Sequence, residues 1–161
     1  MTAANLEAKV RDFLAQTRVA VVGLSQDPAK PRVADAIYKR LKRDGREMIP
    51  VHPRLETFDG DRCFPDLPSV PGGVGAVMIV TRPQVTEQIV RDCRAAGVTR
   101  VWMHQSMGAA GSSVSPAAVD DCRAHGIEVI AGACPMMYVA DADFGHKCMR
   151  WMLGLSGGLP S

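Results

Sequence analysis

The sequence is marked first by what it lacks. Its 161 residues contain no apolar run of the roughly 18 residues that a membrane span needs. The opening stretch MTAANLEAKVRDFLAQT carries charges throughout and has no apolar core of the signal-peptide kind, so the expected address is cytoplasmic. The five cysteines, an odd number, include no CxxC pair, which argues against a secreted disulfide framework and for reduced thiols acting as small buried hydrophobes. A net charge of +2 is too small for a nucleic-acid footprint. Neither an internal repeat nor a linker divides the chain, so residues 1–161 read as a single domain.

What is present is ordinary in bulk: 47% hydrophobic and 22% charged residues, enough for a globular core. The pattern along the chain alternates. A helix is expected over 4–17, with Leu6, Val10, Phe13 and Leu14 on one stripe. The run RVAVVGL from Arg18 to Leu24 reads as a strand buried on both faces. Further strands are expected at Glu47–Val51, Ala76–Val80, Arg100–Met103 and Ile127–Ala131. Helices are expected over 33–44, from Pro83 to Gly97, from the Ser115-Pro116 cap to His125, and over about 142–154. Asp59 to Gly75 reads as an irregular excursion. Phe144, Trp151 and Met152 on the last helix are expected to pack on the sheet, the alternative being a homodimer face.

Five buried strands separated by helices specify an α/β fold, a Rossmann-like three-layer sandwich with a five-stranded parallel sheet, expected in the order 3-2-1-4-5. Ligands of such sheets bind beyond the carboxyl ends of the strands where the order reverses, here between strands one and four. The loops that follow each strand are therefore the candidate site.

In the first loop, Gly23 allows close backbone approach, Ser25 offers a hydroxyl and an N–H, and Lys30 and Arg32 stand at the start of a helix. Helix N-termini favour anions, so a diphosphate suits this loop. Only one glycine of the GxGxxG fingerprint is present, and the loop is too long for a standard dinucleotide turn. After strand two stands His52-Pro53-Arg54, where an NAD site has Asp or Glu; a cation there suits a phosphorylated ribose, as in NADP or coenzyme A. Thr81-Arg82-Pro83 follows strand three, and Arg82 can stack on adenine or fork onto phosphate. The Lys39–Arg46 cluster reads as a solvated helix face. Cys134 follows strand five, where a thiolate could form a mixed disulfide with a ligand thiol, or could simply be a buried loop cysteine. His146 and Cys148 lie roughly 200° apart around a helix, so no metal site is expected from them.

The succession VVGLSxxPxKPR, IPVHPR, VTRP, VWMHQSMG and GACP resembles the stand-alone CoA-binding domain proteins, which are similar to the N-terminal domain of succinyl-CoA ligase α subunits. The resemblance covers about 15–155. It implies that Gly23, Ser25, Lys30 and Arg32 hold phosphates, that Pro53 and Arg82-Pro83 line the adenine and ribose end, and that the 104–108 loop and Cys134-Pro135 face the pantetheine arm. The family usually has Asn-Pro where His52-Pro53 stands, and a Gln closely followed by Gly where His104 and Gln105 compete. The ligase relies on a phosphorylated histidine, and none of His52, His104, His125 or His146 sits in a comparable motif. The expectation is a module that binds coenzyme A or an acyl-CoA without turnover. The alternatives are an NADP-dependent reductase, which lacks its glycine fingerprint, and a regulatory interaction protein on the same fold.

Overall fold

A computed structural model describes residues 3–106, 111–139, 141, 142, 145–148, 150 and 152. The elements in chain order are α1 (Ala3–Leu14), β1 (Arg18–Val22), α2 (Val33–Arg43), β2 (Glu47–Val51), the short pair β3 (Thr57–Phe58) and β4 (Asp61–Arg62), β5 (Ala76–Ile79), α3 (Pro83–Ala95), β6 (Arg100–Met103), α4 (Pro116–Ala124) and β7 (Glu128–Ala131), followed by a 3-10 turn over Pro135–Met137. Of the expected last helix, residues 145–148, 150 and 152 are helical, while Phe144 and Trp151 lie outside the described residues.

All five long strands pair in parallel, in the order β2-β1-β5-β6-β7. Numbered as the five expected strands, the order is 2-1-3-4-5, not 3-2-1-4-5. The third strand crosses back beside the first, because the outer edge of β2 is already occupied. Phe64 bridges Val51 in parallel, with His52 N–H donating to the Phe64 carbonyl at 2.9 Å and Phe64 N–H donating to the Pro50 carbonyl at 3.0 Å. Pro50 was the available signal. A proline lacks the ladder N–H and is confined to edge strands, so a strand reading EMIPV belongs at an edge. The excursion also holds the β3–β4 hairpin, turned by Asp59 (φ 50°) and Gly60 (φ 83°). Asp-Gly supplies the two positive φ angles of a type I′ turn.

Alternation along the strands separates two cores. Val19, Val21, Met78, Trp102 and Ile130 face α1 and α2. Ala20, Val22, Val77, Ile79, Val101, Met103 and Val129 face α3 and α4. Helices therefore cover both faces, and the helix after β1 and the helix after β5 lie on opposite sides. The order reverses between these two neighbouring strands, which moves the ligand crevice from the expected strand one–four boundary to the β1–β5 boundary.

Candidate functional site

The carboxyl ends of β1 and β5 are in near contact. A Cβ on Gly23 (φ +108°) would sit 2.0 Å from the Val80 carbonyl oxygen, so the chain can pass only as glycine. Beyond Gly23 the loop is bound to itself. Ser25 Oγ lies 2.8 Å from the Lys30 carbonyl and accepts from Asp27 N–H at 3.2 Å. Ser25 N–H donates to Asp35 Oδ1 at 2.9 Å and Arg32 N–H to Asp35 Oδ2 at 2.8 Å. Asp35, in the first turn of α2, thus satisfies donors that a helix start leaves open. Both the hydroxyl and the N–H of Ser25 are engaged in fixing the loop, and Ser25 is not in the lining of the cleft that these loops enclose. Val33 and Ala34 remain as first-turn donors.

These loops enclose a cleft of ≈ 780 Å³. Among the expected site residues, Gly23, Arg32, His52, Pro53, Thr81, Arg82 and His104 line it. Ser25, Lys30, Arg54, Pro83, Gln105 and Cys134 are not in its lining. Arg32 and Arg82 are the N-cap residues of α2 and α3, so they approach from the two opposite faces of the sheet. Among the described residues neither has an ion-pair partner. Each stands beside an exposed apolar side chain, Val33 (45% exposed) next to Arg32 and Val85 (41%) near Arg82, both in the cleft wall with Ile89. The mouth thus combines uncompensated positive charge with apolar surface.

Two imidazoles share the lining. His52 Nδ1 accepts a hydrogen bond from Arg54 N–H at 3.1 Å, so the neutral ring carries its hydrogen on Nε2. That contact copies an Asx turn, with the imidazole nitrogen taking the place of an asparagine oxygen. Burial first, then Arg54 and Arg32, push the His52 pKa below its ordinary value. Arg54, although outside the lining, is therefore near enough to act on it. His104 is 2% exposed, burial alone pushes its pKa down to about 4, and its Nε2 has no hydrogen-bond partner among the described residues. Of the two competing side chains after β6, His104 takes the cleft position. Gln105 is exposed, and its backbone N–H donates to the Ala133 carbonyl. Cys134 is buried in the core cluster that includes Trp102 and Ile130 and is not in the cleft lining. Thr81 Oγ1 lies 3.0 Å from Thr86 Oγ1, tying the loop after β5 to α3.

The CoA binding domain family matches residues 17–140. This chain belongs to that family. Among its relatives is the α subunit of an ADP-forming acetate–CoA ligase II from Pyrococcus furiosus, 26% identical over 121 residues, which span 72% of this chain and 26% of that subunit. The chain thus corresponds to about a quarter of the ligase subunit. The uncharacterised protein YneT of Bacillus subtilis is 24% identical over 102 residues, 63% of this chain and 74% of YneT. In fold, a hypothetical protein from Pyrococcus horikoshii superposes with a TM-score of 0.72 at 24% identity, covering 81% of this chain and 87% of that one. A dinucleotide-forming acetyl-coenzyme A synthetase of Ca. Korarchaeum cryptofilum gives 0.61 at 25% identity, covering 74% of this chain and 26% of that one.

Within this CoA binding domain, sequence reasoning missed the apolar wall and the far side of the β6–α4 loop. Val85, Ile89 and Asp92 recur at helical spacing on α3 and line the cleft, while Val90 and Cys93 on the same helix enter the core. A second stripe beside the core stripe was the available signal. Ser112 and Ser113 reach the cleft because the chain doubles back: Gln105 bridges Ser112 in antiparallel fashion and Ser113 N–H donates to the His104 carbonyl at 2.7 Å. Met107 and Gly108 lie outside the described residues. Among the described residues no helix is long and apolar enough to cross a membrane.

Proposed function

We propose that the cleft binds coenzyme A or an acyl-CoA and that the domain acts as a binding module without turnover. The observation that carries the reading is the convergence of Arg32 and Arg82, from opposite sides of the sheet and without carboxylate partners among the described residues, on one cleft with apolar walls. An adenosine bearing several phosphates needs this combination. Guanidinium groups fork onto phosphate oxygens, and the α2 N-terminus adds backbone donors. Val33, Val85 and Ile89 supply apolar surface for the base or for the arm. Family membership supports the same ligand, and a ligase subunit acting with CoA is among the relatives. His104, held neutral at pH 7 by burial, suits contact with an uncharged part of the ligand rather than a phosphate.

The test is thermal unfolding with CoA, dephospho-CoA and NADP at matched concentrations. CoA at about 100 times its Kd stabilises by roughly 2.7 kcal/mol, a rise in Tm of about 5–10 °C. A shift with NADP and none with CoA moves the chain to reductase chemistry. A shift with no nucleotide moves it to a regulatory interaction protein.

A further inference from the structure

Resting on the reading of the cleft as a CoA site, we propose that Asp92 is the residue that discriminates the base: its carboxylate receives the exocyclic amine of adenine in a lobe walled by Val85, Ile89 and Pro65. Among the described residues Asp92 is the only acid in the cleft lining, and it forms no ion pair with Arg32 or Arg82. Its Oδ1 accepts from Gln88 Nε2 at 2.9 Å, and its Oδ2 has no hydrogen-bond partner among the described residues. Helix geometry shows which way this carboxylate lies. Val85, Ile89 and Asp92 follow one another at spacings of four and three residues, on one face of α3. Glu87 and Arg94 stand two residues beyond Val85 and Asp92, about 200° around the helix, and they hold α4. Glu87 Oε1 accepts from Ser115 Oγ at 2.8 Å, and Arg94 donates to Asp121 Oδ1 at 2.6 Å. The Val85–Asp92 face is therefore turned away from α4. It meets the segment after β4, whose Phe64 and Leu67 pack on the same side of the sheet as Ile89 and which brings Pro65 to the cleft.

The cleft thus has two lobes that meet at the cationic strand ends. The other lobe lies on the β6 side and is lined by His104, Ser106, Ser112 and Ser113. A nucleotide with a polyamide arm has two uncharged parts, and they leave its phosphates in different directions. Hydroxyls and a neutral imidazole suit the amides of the arm. Aliphatic side chains and a proline suit the faces of a planar base, and a carboxylate beyond them suits an amine at its edge. Charge fixes the order along the cleft. A phosphate is attracted at Arg32 and Arg82 and repelled at Asp92. Asp92 follows Arg82 by ten residues, about 15 Å along α3, so a base that reaches the carboxylate leaves its phosphates within reach of the long guanidinium side chains. Hypoxanthine has the shape of adenine but carries a carbonyl oxygen in place of the amine. In this lobe it sets an acceptor against an acceptor, and the half-buried carboxylate then goes unpaired.

The experiment is titration calorimetry of the full chain with adenosine 3′,5′-bisphosphate and inosine 3′,5′-bisphosphate, which carry the same charge, and with CoA as the control for the cleft. It is repeated with Asp92→Asn, whose amide turns its oxygen to an amine or its NH2 to a carbonyl. Wild type is expected to bind the adenosine compound about tenfold or more tightly than the inosine compound. Asp92→Asn is expected to keep CoA binding and to bring the two compounds within about twofold of each other. Equal affinity for the two compounds in wild type, which needs no variant to measure, overturns the proposal while CoA binding leaves the cleft reading standing. A preference for adenosine retained in Asp92→Asn does the same, because the amine is then recognised elsewhere. Absence of binding by CoA and by both bisphosphates overturns the cleft reading, and this proposal with it.

Discussion

Two groups of basic residues lie close together in the sequence and have opposite fates in the fold. The first runs along α2. Lys42 meets Asp59 at 3.3 Å and Asp61 at 2.6 Å, Lys39 reaches Asp59 at 3.9 Å, Arg40 pairs with Asp44 at 3.1 Å, and Arg46 donates to the Leu14 carbonyl at 2.5 Å. The second comprises Lys30, Arg32, Arg54 and Arg82, which have no ion-pair partner among the described residues. Apart from Arg43, the denser cluster is thus the consumed one: Lys39 and Lys42 fasten the β3–β4 hairpin to α2, and Arg46, just beyond α2, holds the end of α1. The sparser set, dispersed over three loops, keeps its charges unpaired among the described residues, and Arg32 and Arg82 of it line the cleft. Local charge density therefore misleads, and tertiary partners decide which cations are free to bind an anion.

The comparison can be pressed hardest through His104, which shares the cleft with the unpaired set but owes its low pKa to burial and not to those cations. Its folded pKa of about 4 lies below the ordinary 6.5, so between these values the unfolded chain binds a proton that the folded chain refuses. Stability contributed above pH 6.5 is lost as pH falls toward 4, by up to about 3 kcal/mol. Urea unfolding across that range should show the loss in wild type and a shallower slope in His104→Leu. The difference between the two should be insensitive to salt, because desolvation is its cause. A strong salt dependence would show that the cleft cations reach further than His52.

Next in size are the ligand cations themselves. Arg32→Ala and Arg82→Ala should each weaken CoA binding by about 10- to 100-fold, the range for one charge-assisted contact. Neither should lower the Tm appreciably, since neither side chain holds an ion pair. Calorimetry read beside thermal unfolding separates the two effects. If Arg32→Ala destabilises the fold while leaving affinity intact, the division into consumed and free cations collapses.

The smallest effects belong to the consumed set. Tyr38 Oη bonds the Met48 carbonyl at 3.1 Å and Asp61 at 2.5 Å, and Asp61 in turn holds Lys42. Tyr38→Phe should lower stability by about 1 kcal/mol, the usual net worth of a hydrogen bond, with CoA affinity unchanged. Lys42→Met should also leave CoA affinity unchanged. A loss of affinity in either would place the hairpin in the binding machinery.

The strands were legible because each is a short apolar run, buried on both faces, and Glu47–Val51 and Arg100–Met103 fall where expected. Helix starts were legible where proline or serine marks them, at Pro83 and at Ser115-Pro116. Strand order was not, because every strand–helix–strand unit reads alike and neighbours are chosen by tertiary packing. Pro50 and the Asp59-Gly60 turn carried the missing information, since together they place β2 at an edge already covered by the excursion. Of the site, Arg32, His52, Pro53, Arg82 and His104 were reachable by the rule that ligands sit beyond strand ends. The bonds of Ser25 within its own loop were not legible, because a hydroxyl in a loop says nothing of whether its own chain has already claimed it. For Cys134 the sequence left two readings open, because a residue just past a strand end can point to either face; its burial agrees with the loop-cysteine reading.

The contacts that Asp35 makes with Ser25 and Arg32, together with the Ser25–Lys30 contact, all fall within a span of eleven residues, 25–35. A segment stapled so locally has its shape before any nucleotide arrives. The entropy of ordering it belongs to folding, and association should proceed at the rate set by diffusion and charge rather than by rearrangement of the loop.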